Sequence, residues 1–168
     1  ILKQVKEGVT KQVKIIQKKF PIYLEAACQN NRLPLDKTSR HPVYQFVNGF
    51  FTLKVSDHRG MATLKNEFSL MTIEIPADVD AIVAKVSKEY QRLFQRPFKA
   101  KSFLSKVKYA YEHLLKEANL KQEAPVSIRS VIHFLTKQEK KYPFDECAMD
   151  LSKLVLQGSL IIKGWQLD

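Results

Sequence analysis

The sequence predicts an α+β chain that is mostly helical and carries a small antiparallel sheet. Three observations lead there. Apolar residues recur every three or four positions over most of the chain, the spacing of amphipathic helices. One stretch, 41–76, breaks this rhythm: Phe51, Leu53 and Val55 alternate with Thr52 and Lys54, as in a strand. Prolines and Asn/Asp/Ser groups punctuate the boundaries. With 168 residues there is room for one domain, or one domain and a helical arm. An apolar share of 45% in periodic order suits a packed core and excludes a disordered chain.

Taken in order, 1–19 reads as an amphipathic helix. Leu2, Val5, Val9, Val13, Ile16 and Phe20 form one stripe, with Lys3, Lys6, Lys11, Lys14 and Lys18 beside it. Pro21 predicts a kink or a restart there, with a second short helix from 21 to about 29. Asn30, Asn31, Pro34, Asp36 and Ser39 mark a loop. Residues 42–48 fit a short helix and a strand equally. A strand is expected at 51–55, a turn at Asp57-His58-Arg59-Gly60, possible pairing at 61–64, and a strand from Phe68 to Ile75 ended by Pro76. Asp78 is placed to cap a helix over 79–95 that stops before Pro97. A helix over about 101–118 follows. Ser127 caps the next, Pro143 opens a helix over 144–157, and Gly158 lies just past its end. Leu160-Ile161-Ile162, Lys163-Gly164 and Trp165-Gln166-Leu167 read as a hairpin. The organisation expected is a basic helical arm over 1–40, a sheet with a basic helix over 41–100, and a helical part with a terminal hairpin over 101–168.

Charge is the strongest functional signal. The net charge is +11 and is unevenly spread. Residues 1–40 hold nine Lys/Arg against three Asp/Glu, and 81–125 hold ten against four, so each carries +6. Residues 41–80 hold three against five, giving −2, and 126–168 hold six against five, giving +1. Clustered like charge raises local potential and attracts an anionic partner. On the helix 79–95, Lys85, Lys88, Arg92 and Arg96 recur at three, four and four residues, with Lys99 and Lys101 following. On an ideal helix they share one arc, a geometry that tracks a phosphate backbone. Lys3, Lys6, Lys14 and Lys18 offer a second basic face. The stripe beside them is rich in β-branched residues and has no Trp, which suits a protein partner or a second copy of the chain better than a lipid surface.

Other chemistries find little. Cys28 and Cys147 form no CxxC pair and the four histidines are scattered, so neither a zinc site, a disulfide framework nor any cofactor is expected. Two reduced thiols suit an intracellular setting, cytoplasmic, nucleoid or nuclear. His113 and His133 read as packed, hydrogen-bonded histidines. No GxSxG and no glycine-rich phosphate loop occur. Asp57, Glu67 and Lys54 or Lys65 match no nuclease spacing. Tyr44, Phe50, Phe51 and Phe68 are candidates for stacking on bases. No run of 18 apolar residues exists and no signal peptide is evident. Beginning at Ile1 rather than Met points to a fragment or a processed chain.

The order helix, helix, helix, hairpin over 101–168 resembles a winged-helix domain. That resemblance makes 144–157 the second helix of a helix-turn-helix, which enters the major groove in DNA-binding members. Its polar positions are Asp145, Glu146, Asp150, Ser152, Lys153 and Gln157. An exposed face with three carboxylates would repel phosphate, so a docking role fits this helix better. The function expected is non-catalytic: sequence-independent nucleic-acid binding through phosphate contacts, as one module of a larger machine. The competing reading is a protein-assembly or dimerisation module whose charge serves solubility.

Overall fold

The structure, a computed structural model, describes residues 18–69, 71–139, 142–157, 161–162 and 165–166. It is α+β and mostly helical, and it divides into two compact units, Ile1–Tyr90 and Gln91–Asp168.

In the first unit, helix α1 (18–30) buries Phe20, Leu24 and Cys28 at four-residue spacing. The expected break at Pro21 is absent, and the helix is continuous across it. Proline forgoes one N–H and crowds the carbonyl four residues earlier, and the buried stripe of Phe20, Leu24 and Cys28 offsets this by keeping the described helix in phase. Helix α1 ends in a Schellman motif: Leu33 N–H donates to the Cys28 carbonyl at 2.9 Å and Arg32 N–H to that of Gln29 at 3.1 Å. Arg32, at φ 52°, takes the left-handed position usually held by glycine.

Four antiparallel strands follow as a meander in the order β1-β2-β3-β4: β1 (Val43–Phe46), β2 (Phe51–Ser56), β3 (Met61–Asn66) and β4 (Ile73–Pro76). Tyr44 pairs with Leu53, Leu53 with Leu64, and Ala62 with Ile75, all on the buried face. The other face exposes Gln45, Lys54, Lys65 and Glu74. Alternating burial of Tyr44 and Phe46 settles the 42–48 ambiguity as a strand. Between β1 and β2, Val47, Asn48 and Gly49 all have positive φ. The Asp36 carboxylate holds this turn by accepting from Asn48 N–H at 3.0 Å and Gly49 N–H at 2.7 Å. The strand expected over 68–75 begins only at Ile73. The reason is local: the Asn66 side-chain oxygen accepts from the N–H groups of Phe68 and Ser69, turning the chain out of β3. Pro76 closes β4 from inside the strand, tolerated because β4 is an edge. Helix α2 (Val79–Tyr90) is capped by Asp78, whose carboxylate accepts from Ala81 N–H at 2.9 Å, and packs Ile82, Val83 and Val86 inward beside β4.

The second unit opens with a π-helical turn, Gln91–Gln95, so the α-helix expected to reach 95 ends at Tyr90. It continues with α3 (Ala100–Glu117), α4 (Ile128–Gln138), α5 (Phe144–Gln157) and a two-stranded antiparallel hairpin, β5 (Ile161–Ile162) and β6 (Trp165–Gln166). Ser127 caps α4, accepting from Ser130 N–H at 3.1 Å. Leu93, Phe103, Leu104, Val107, Ile132, Leu135, Cys147 and Leu154 build its core. Among the described residues no helix is long and apolar enough to cross a membrane.

Candidate nucleic-acid interface

Arg92 and Arg96 do not project into solvent as a free cationic row. Arg92 grips Asp145 with both guanidinium nitrogens, at 3.2 and 2.6 Å, and reaches Glu146 at 2.9 Å. Arg96 pairs with Glu146 at 3.2 Å and with Asp150 at 2.7 Å, so Glu146 bridges the two arginines. Its guanidinium also lies 5.5 Å from the centre of the Tyr142 ring. The local cause is helix periodicity. Asp145, Glu146 and Asp150 share one side of α5, while the π-helical turn winds more loosely than an α-helix and presents Arg92 and Arg96 one turn apart. Lys153 completes the cluster by donating to the Leu93 carbonyl at 2.8 Å.

The face of α5 expected to be exposed and acidic is therefore internal. Asp145 is 8% exposed and Asp150 6%. Carboxylates are buried this way when they are paired, and two arginines here meet three carboxylates. Burial pushes the Cys147 thiol up to about 12 and lowers Lys153 from its ordinary range. Tyr142 is driven well above the usual phenol range, first by burial and then by the hydrogen bond it donates to Asp150 at 2.6 Å.

The other sequence-predicted cations fall as follows. Lys85 pairs with Glu89 at 3.0 Å and Lys88 is exposed, both in the first unit. Lys99 and Lys101 are exposed in the second, with no ion pair among the described residues. Lys18 is exposed on α1, and its neighbour Phe20 packs within its own unit, its ring 5.8 Å from that of His41 and 5.9 Å from that of Tyr44. Lys3, Lys6, Lys14 and the stripe Leu2, Val5, Val9, Val13 and Ile16 lie outside the described residues.

Two groups escaped sequence reasoning. His41 bridges Asp57, at 2.8 Å, and the Tyr44 hydroxyl, at 3.2 Å, taking Asp57 for a structural pair. A His and an Asp sixteen residues apart give no periodic signal. The second is a set of exposed cations on the second unit, Lys116, Lys121, Arg129 and Lys137, none with a carboxylate partner among the described residues. Of the exposed carboxylates, Glu112 and Glu139 are taken by Lys108 and Lys106 and Glu117 lies 3.9 Å from His113, while Glu123 is exposed as well.

Of the aromatic candidates, Tyr44 and Phe51 are buried in the sheet core and cannot meet a base, while Phe50 and Phe68 are half-buried against each other, ring centres 5.3 Å apart. His113 and His133 were expected to be packed but are exposed, each beside a phenylalanine ring. Comparison of the chain with protein-family models, with curated proteins and with solved structures gives no match.

Proposed function

We propose that this chain is a non-catalytic, intracellular nucleic-acid-binding module that holds phosphate without reading sequence, within a larger protein or complex. The observation that supports it most is the internal neutralisation of α5. With Asp145, Glu146 and Asp150 answered by Arg92 and Arg96, exposed cations outnumber exposed carboxylates on the described surface of the second unit. Lys99, Lys101, Lys116, Lys121, Arg129 and Lys137 are among these cations. We further propose a winged-helix-like arrangement for α3, α4, α5 and the hairpin. In it α5 packs rather than reads a groove, because its outward last turn carries Val155, Leu156 and Gln157 and no cation.

The test is a salt titration of binding to random duplex and to single strands. Neutralising Z phosphates gives a slope of about −0.9Z on duplex. Changing Lys99, Lys101 and Lys137 together to Glu should weaken binding and flatten the slope. Unchanged affinity and slope in that variant would remove the second unit as the site.

One observation favours the assembly reading. Leu156 is 84% exposed next to Val155 at 53%, an apolar end to α5 that suits a protein contact. Leu156→Asp should then lower the mass seen in light scattering without altering salt-dependent binding.

A further inference from the structure

Between α3 and α4 runs an open groove of about 430 Å³. Ser102, Ser105 and Gln138 give it polar edges, and Tyr109 and Phe134 give it an aromatic wall. Tyr109 is 59% exposed, although aromatic rings ordinarily shed water by burial. It does not stand alone. Its ring centre lies 6.1 Å from Phe134 and 6.2 Å from His113, and those two are 4.8 Å apart. Three rings thus meet at the surface within stacking or edge contact.

The charge around them is mixed, but its negative members have partners: Glu112 pairs with Lys108 and Glu117 lies 3.9 Å from His113. At the rim Lys106 and Glu139 cancel each other at 2.5 Å. Lys101 and Lys137 adjoin the lining residues Ser102 and Gln138 in sequence, and both are exposed with no carboxylate partner among the described residues. An aromatic wall, hydrogen-bonding edges and exposed cations one residue away in sequence together fit flat rings strung on a polyanion. In a duplex the faces of the bases are covered by their neighbours, so only an unpaired strand can lay a base on Tyr109.

We infer that the α3–α4 groove binds single-stranded nucleic acid by stacking a base on Tyr109 while Lys101 and Lys137 meet its phosphates. This rests on the nucleic-acid reading above and assigns the strand state to it. Stacking is sequence-tolerant, since every base has a π-face, which agrees with a module that reads no sequence.

The experiment uses the full chain, fluorescence anisotropy, a labelled oligothymidylate of about 16 nucleotides and a random duplex of similar length. The parent should prefer the oligothymidylate. Tyr109→Ala should lose about 5- to 100-fold on that probe and little on duplex, with the salt slope kept. Tyr109→Phe, which keeps the π-face, should bind as the parent does. Because Tyr109 is largely exposed, its truncation spares the core, and an unshifted thermal melt verifies that. Tyr109→Ala binding oligothymidylate as tightly as the parent would overturn the groove assignment. Should Tyr109→Ala bind as the parent does while Lys101→Glu with Lys137→Glu weakens both probes, the broader phosphate reading would stand and the groove would fail. If the parent bound neither probe at low salt, both would fall. A Tyr109→Ala chain that lost self-association in light scattering but kept its affinity for the oligothymidylate would make the groove a protein contact, and the inference would be wrong.

Discussion

Arg96 shows how a single residue can change meaning between sequence and structure. In the sequence it is one of four evenly spaced cations. In the fold it is held by Glu146, Asp150 and the Tyr142 ring. Removing one partner of a buried pair strands the others, so Arg96→Met should destabilise the protein by about 2 kcal/mol, the full cost being reduced by the partial exposure of the guanidinium. Urea unfolding measures it, and Lys99→Met, at an exposed unpaired cation, should cost less than about 0.5 kcal/mol. The thiols give a second residue-scale prediction. Burial raises Cys28 to about 11 and Cys147 to about 12. The unfolded chain therefore loses these protons first as pH rises, and the stability tied to them is complete below the ordinary thiol range and lost as pH climbs through about 11 and 12. The urea midpoint should fall between about pH 8.5 and 11, and alkylation of the folded chain at about pH 8 should be slow until it is unfolded. Fast labelling of both cysteines in the folded chain would contradict their burial.

At the scale of the element, α5 and α1 carry the tests. The acidic side of α5 is a partner for Arg92 and Arg96, so reversing Asp145 and Glu146 to Lys removes their counter-ions and adds like charge. That pair of changes should lower the melting temperature markedly rather than leave a stable chain with altered binding. A variant with parental stability would mean that the network contributes nothing. On α1, Leu24 is fully buried and Leu24→Ala should cost about 2–5 kcal/mol. Ser127→Ala removes the acceptor that caps α4 and should cost about 1 kcal/mol. Both caps, Asp78 and Ser127, were legible in advance because capping chemistry lies within three residues of the helix start. The strand expected at 68–75 starts late, at Ile73, because a single side chain, Asn66, competes with the ladder for two backbone donors.

For the molecule as a whole, charge is the governing quantity. If the six exposed cations of the second unit that have no carboxylate partner among the described residues each meet a phosphate, affinity for duplex should fall about 10³-fold between about 50 and 200 mM salt. A flat salt profile would leave +11 as a matter of solubility alone. The sum of charge was visible at once, but its usable part was not. Three of the four cations of the expected row are held in ion pairs, Lys85 by Glu89 and Arg92 and Arg96 by α5, and others that matter, such as Lys121 and Arg129, lie in no periodic run.

By itself the sequence determined the class, α+β and mostly helical, the extents of α3 and α5, the start of α4, the strand from Phe51 and the terminal hairpin. These follow from periodicity and capping, which act over a few residues and are written in local order. Only the tertiary structure decided which charges face each other and which rings face water. Arg92 and Asp145 are fifty-three residues apart, and Tyr109 and Phe134 sit on different helices. Such pairings depend on how helices pack, and a one-dimensional pattern of residue types does not encode which faces packing will bring together.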